Sequence, residues 1–152
     1  MRELTQHECL ALLARNHVAR LAFLRDGRPD VEPLHYVYAA GWLYGRTAEG
    51  AKLDALAHCH WVALEASEVR RALDWTSVVV RGSFHRLDGV PAEAAAARAV
   101  EALDAWALGT IRTLVADTLT PADPAPGRTV LFRVAAGAIT GRTMTAGPPT
   151  LP

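Results

Sequence analysis

Three short stretches carry residues that could do chemistry. In Arg46-Thr47-Ala48-Glu49-Gly50-Ala51-Lys52-Leu53 a hydroxyl and two cations stand where a strand pattern feeds a helix pattern. Such a junction offers backbone N–H groups without helical partners and the positive end of a helix dipole, so a phosphate fits the donors. On spacing alone, a capped helix with a solvent-exposed lysine accounts for the same residues. In Trp75-Thr76-Ser77-Val78, strand alternation puts Trp75, Ser77, Val79 and Arg81 on one face. Thr76, Val78, Val80 and Phe84 then form the core face. A Trp beside Ser and Arg could flank a planar ligand or a subunit interface, and a two-sided strand with an edge Trp is the plainer account. In Pro33-Leu34-His35-Tyr36 the proline cannot donate to a ladder, which marks an edge or a bulge. Backbone groups beside it are then open to a ligand, with His35 and Tyr36 adding donors. An edge protected against aggregation explains the proline equally. His58-Cys59-His60 offers metal-ligand types, but one tight triplet cannot complete a tetrahedral site, so no metal is expected.

Composition sharpens one of these residues. The chain has 29 Ala and 15 Arg but a single Lys. Arg has displaced Lys nearly everywhere, so Lys52 points to a site where a compact point charge and a planar fork are not equivalent, with chance as the plainer account of one residue. The rest of the composition bounds the function. At 152 residues and 51% apolar content, the chain is expected to form one domain over residues 1–142 with a flexible tail over 143–152. Sixteen basic residues balance sixteen acidic ones, which argues against nucleic acid as a partner. Two cysteines give no disulfide framework, no apolar run approaches a membrane span, and the charged N-terminal stretch reads as no export signal. A cytoplasmic protein is expected. The motifs of Rossmann dehydrogenases, P-loop NTPases, α/β-hydrolases and zincins are missing.

The elements that must position these residues follow from local pattern. Residues 3–15 read as a helix with a Thr5/Glu8 capping box. Residues 17–24, 30–39 and 42–47 read as an antiparallel meander turned at Asp26-Gly27 and Ala40-Gly41. A short helix over 49–57 precedes strands over 60–67 and 74–87. Pro91 opens a helix to about Ala107, resuming at Thr110 to Asp117, and strands over 128–135 and 138–141 close the domain. About six strands with attached helices make a β-barrel or curled sheet.

Taken in order, these segments resemble the pyridoxamine 5'-phosphate oxidase-like split-barrel flavoproteins, in particular the branch that includes the nitroimidazole-resistance proteins. The resemblance rests on Arg28-Pro29-Asp30-Val31-Glu32-Pro33-Leu34-His35-Tyr36, on Leu43-Tyr44 through Lys52-Leu53, on Trp61 to Glu65, and on Trp75-Thr76-Ser77-Val78 with Gly82. Ile139-Thr140-Gly141-Arg142 is similar to the family's C-terminal strand. The resemblance implies a mainly β fold with helices, a six-stranded antiparallel split β-barrel, and a homodimer with FMN at the subunit interface. It implies phosphate near Arg46, Thr47 and Lys52, the isoalloxazine along Pro33 to Tyr36, and Ser77 bonded to the flavin or its ribityl chain. Leu53, Trp75 and Val78 complete the implied cofactor-binding set. Arg46 stands where nitroimidazole-resistance relatives often carry a histidine, so chemistry that depends on that histidine is not implied. The implied activity is a flavin-dependent oxidoreductase acting on a small-molecule substrate. A deazaflavin in place of FMN, or a non-catalytic flavin- or haem-binding dimeric module, is the alternative.

Overall fold

A computed structural model of the chain describes residues 1–87 and 129–145. Its elements in chain order are β1 (Arg2–Glu3), α1 (Gln6–Arg15), β2 (Val18–Arg25), β3 (Arg28–Ala39), β4 (Trp42–Ala48), α2 (Ala51–His58), β5 (Trp61–Arg71), β6 (Asp74–Arg86), β7 (Thr129–Ala135) and β8 (Ala138–Met144). Both expected hairpin turns form. Asp26 and Gly27 take φ values of 53° and 73°, and Ala40 and Gly41 take 48° and 82°. Two left-handed central residues give a turn whose twist matches that of the flanking strands.

The strands pair antiparallel in the order β1-β8-β6-β5-β2-β3-β4-β7, and β7 also pairs back onto β6. The six strands β2 to β7 therefore close a ring, which is the split barrel expected from the sequence. Strands β8 and β1 extend the sheet beyond β6. The ring is split at β3. Residues 28–35 pair with β2, whereas Tyr36 to Ala39 pair with β4. The long β6 likewise serves β5 and β8 along most of its length and β7 at its end, from Phe84 to Arg86.

The core fills the ring. Val78, Val80, Phe132 and Val134 are fully buried there, and Phe84 stacks on Phe132 with centroids 4.9 Å apart. The Thr5/Glu8 capping box starts α1, as its spacing predicts. Its buried residues are Cys9, Leu12 and Leu13, with Leu4 and Leu10 only partly buried. Tyr36 joins α1 to β3, because its hydroxyl donates to the Leu13 carbonyl at 3.1 Å. Leu13 lies in the last turn of α1, where carbonyls have no helical partner. Replacing Tyr36 by Phe is therefore expected to lower stability by about 1 kcal/mol in urea unfolding. An unchanged midpoint would show the bond to be immaterial.

Three boundaries differ from expectation. Residues 2–3 form β1, paired with Arg142 and Thr143 of β8, instead of opening the first helix. Strand β5 continues to Arg71, past Ser67. Strand β8 continues to Met144, into the stretch expected as tail, because Thr143 and Met144 pair with Thr76 and Trp75. The helices expected from Pro91 to Asp117, and the tail from residue 146, lie outside the described residues.

Candidate functional site

The split in β3 creates the first feature. Strands β3 and β4 part beyond the Tyr36–Gly45 pair, so the described pairings of residues 28–35 run to β2 alone. Pro33 lies in this stretch, opposite Arg20, where its missing N–H breaks no β3–β4 bond. Strand β4 ends at Ala48 and α2 begins at Ala51, the strand-to-helix junction expected from the sequence. Its N-cap is Gly50, at φ 152°, and no side chain caps the first turn. Leu53 and Leu56 anchor α2 in the core. Lys52 turns the other way, and its Nζ lies 2.7 Å from Glu32 Oε2. That contact sets the first turn of α2 against the half of β3 that β4 has left. Arg46 is exposed and Thr47 half-buried at the end of β4.

The remaining expected residues divide by face. Leu34, Tyr36, Leu53 and Val78 have their side chains in the core, so any contribution to a ligand comes through backbone or packing. Burial pushes the Tyr36 phenol well above its usual range, with Glu68 adding to the effect, so it is no proton donor near neutrality. Pro33 and His35 are exposed on the outer face of the sheet, as are Trp75 and Ser77 in part. Pairing registers run Pro33–Arg20–Glu65–Val79 straight across β3, β2, β5 and β6. Pro33 and Val79 are thus three strand spacings apart, about 14 Å, and Ser77 and Trp75 lie farther off, two and four residues before Val79 along β6. Trp75 and Ser77 instead line a cleft of about 570 Å³ with Arg81, Thr140 and Arg142. One chain brings Pro33 and His35 to the split on the outer sheet face, sets Arg46 and Thr47 at the end of β4 and Lys52 against Glu32 on the inner side of β3, and holds Trp75 and Ser77 elsewhere on the outer face.

Among the described residues, no three His, Cys, Asp or Glu side chains gather as a metal site. His58 ends α2 with its Nδ1 2.8 Å from the Asp54 carbonyl, and the His60 ring lies beside Trp61. Among the described residues, no helix is long and apolar enough to cross a membrane.

A family model described as pyridoxamine 5'-phosphate oxidase matches residues 5–143. The chain belongs to the pyridoxamine 5'-phosphate oxidase family. Among solved structures, it is similar to an FAD-binding protein from Mesorhizobium loti, with 28% identity and a TM-score of 0.72 over 95% of this chain and 98% of that one. It is also similar to the FAD-binding protein of Mycobacterium smegmatis, with 25% identity and a TM-score of 0.65 over 95% of this chain and 100% of that one. An uncharacterized protein of Rhizobium meliloti strain 1021 is 32% identical over 87 residues, which is 57% of this chain and 58% of that protein. The match thus spans less than two thirds of that relative.

In this member of the oxidase family, two carboxylates that sequence reasoning missed hold the candidate residues. Glu32 accepts from Lys52 and also from Arg25, at 2.6 Å. Glu65 accepts from Ser77 at 2.7 Å and from Arg20 at 3.0 Å. The contacts to the candidate residues have no local signal, since Glu32 and Lys52 stand 20 positions apart and Glu65 and Ser77 stand 12 apart, whereas Arg25 and Glu32 are 7 apart across the β2–β3 hairpin. Lys52, followed by Arg25, holds the Glu32 carboxyl below the usual carboxylate range. Arg15, followed by Asn16, does the same for Glu68. Arg2 and Thr5 take Glu8 to about 2. A carboxyl with a lowered folded value adds stability above its unfolded value and loses it as pH falls through the folded one. Urea midpoints are therefore expected to hold from neutrality to about pH 5 and to fall toward pH 2. A flat profile across that acid range would contradict these pairings.

Proposed function

We propose that the chain binds a flavin through its phosphate at the β3 split and serves as a flavin-dependent oxidoreductase acting on a small molecule. The observation that carries this reading is the opening between β3 and β4. A strand half paired on one side only lies next to the first turn of a helix and to Lys52, with Arg46 and Thr47 at the end of β4. These donors suit a phosphate, and the one-sided strand suits the hydrogen-bonding edge of a flat ring. Membership of the oxidase family and the names of two similar structures support a flavin over other phosphate ligands. FMN is the smallest cofactor of this kind and the one implied by the motifs, whereas those two structures are named for FAD.

The separation of Trp75 and Ser77 from the split supports the second half of the reading, a homodimer. The outer sheet face exposes Trp61 at 66%, Val69 at 72% and Val31 at 58%. A second copy covering this face would bury these side chains and could bring its own Trp75/Ser77 cleft to the first copy's split. A bound flavin supplies hydride or electron-pair transfer, and the chain's residues hold and orient it. His35, exposed beside Pro33, is the side chain placed to meet a substrate over that edge.

The test is the visible spectrum of the purified protein through a flavin titration, with mass measured by light scattering. Saturable flavin binding near one per subunit in a dimer supports the reading. A Soret band would move the case to a haem module. A monomer indifferent to FMN, FAD and a deazaflavin would overturn both halves.

A further inference from the structure

We propose that the Arg81 end of the outer-face cleft is an anion site for the substrate, and that the small molecule acted on is a monocarboxylate. This rests on the flavin reading above and deepens it by naming the substrate class. The outward-facing residues of β6 and β8 stand in cross-strand rows, Ser77 with Arg142, Val79 with Thr140 and Arg81 with Ala138. Arg81 leaves its own row, because its Nη1 donates to Thr140 Oγ1 at 3.2 Å. Its guanidinium is thus turned along the cleft toward the Ser77/Arg142 row. Among the described residues neither Arg81 nor Arg142 forms an ion pair, whereas Arg2, Arg15, Arg20, Arg25 and Arg86 each do.

The two hydroxyls of the cleft differ in what they offer. Ser77 gives its proton to Glu65 at 2.7 Å, and Arg20 holds the other Glu65 oxygen at 3.0 Å, so Ser77 presents only acceptor lone pairs. Thr140 accepts from Arg81 and keeps its own proton to donate. An anion therefore fits between Arg81, Thr140 and Arg142, and not at Ser77. Glu3 also lines the cleft, opposite Arg142 in the β1–β8 pairing, and offsets one of the two cations. The Arg20–Glu65 pair adds no net charge. The cleft is left with one positive charge, which matches a single carboxylate better than a dianionic phosphate ester. A carboxylate's two oxygens also suit the fork of a guanidinium. The Thr140 row lies two residues along β6 from Ser77, about 7 Å. A small acid held there points its carbon skeleton to the Trp75/Ser77 half of the cleft, which the reading above turns to the flavin.

The experiment measures the binding of benzoate and of its neutral isostere benzamide to the intact protein by ligand-observed NMR at about pH 7.5 and low salt. A flavin titration of the same samples runs beside it. Benzoate is expected to bind about tenfold more tightly than benzamide, with that preference lost in Arg81→Gln and cut about threefold in Thr140→Val. Thr140→Val decides the matter if Arg81→Gln does not fold. Arg28→Gln removes an exposed arginine outside the cleft, at the start of β3, and should leave the preference intact. Equal binding of the two probes, or a preference that survives Arg81→Gln, overturns the anion site. A preference lost equally in Arg28→Gln reports overall surface charge and overturns it too. Inorganic phosphate that binds more tightly than benzoate overturns the monocarboxylate class. Each of these failures leaves flavin binding in place, whereas a protein that takes benzoate but no flavin overturns the substrate assignment together with the flavin reading.

Discussion

Gly82→Ala is expected to be the most damaging single methyl group in the described chain. A Cβ at Gly82 would fall on the Ala135 carbonyl oxygen, with the Ala135 carbonyl carbon only 2.9 Å away. The obstacle is backbone, so no side-chain rotation relieves it. Gly82 sits where β6 passes from its β5 and β8 partners to β7, under the link between β7 and β8. Making room means moving Ala135 and so loosening the ring closure from Phe84 to Arg86. A loss of about 3 kcal/mol is expected, seen as a drop of roughly 10 °C in the unfolding midpoint for a chain of this size. Gly27→Ala is the control. Gly27 has a φ of 73° and open space around it, so the cost there is backbone strain of about 1 kcal/mol. If the two variants melt together, close approach at Gly82 is not what the ring depends on.

The second large effect falls on binding. Lys52→Ala removes the compact cation at the split and leaves Glu32 facing the ligand with Arg25 as its remaining partner. Both changes oppose an anion, so flavin affinity is expected to fall about a hundredfold while far-ultraviolet dichroism stays that of wild type. Part of that loss belongs to the uncovered carboxylate. The double variant Lys52→Ala/Glu32→Gln should therefore recover about tenfold, a coupling that a purely structural role for Lys52 does not produce. Unchanged affinity in Lys52→Ala would remove the phosphate from this part of the molecule.

Much of the fold was legible because its signals are local. Asp26-Gly27 and Ala40-Gly41 demand left-handed turns, and Thr5 with Glu8 closes a capping box within one helical turn. Alternation along β6 assigned Val78, Val80 and Phe84 to the core and Trp75 and Ser77 to the outer face. What stayed hidden depends on pairing at a distance. A two-residue β1 carries no pattern of its own and exists because β8, some 140 residues later, offers an edge. The site divides the same way. Lys52 stood out as the single lysine in an arginine-rich chain, but its partner Glu32 is reached only when α2 folds back on β3. By residue type Tyr36 offers a polar donor to a ligand, and its hydroxyl is instead spent on the Leu13 carbonyl. Strand alternation put it inside, which the short run Pro33 to Tyr36 does not display on its own.

The way the ring closes has a consequence for how the protein is made. Strand β4 waits for β7, with Trp42 opposite Ala135 and Ala48 opposite Thr129, and the far end of β6 waits for the same strand. The ribosome must add the 42 residues between Arg86 and Thr129 before either partner exists. For those seconds of translation, the nascent chain holds β2 to β6 as an open sheet with two unpaired margins. An open margin of apolar strand is a template for another chain. Crowded polysomes are thus where this protein is most exposed to mispairing, and synthesis of residues 129–144, which supplies β7 for β4 and then β8 for the rest of β6, is the step that removes the hazard.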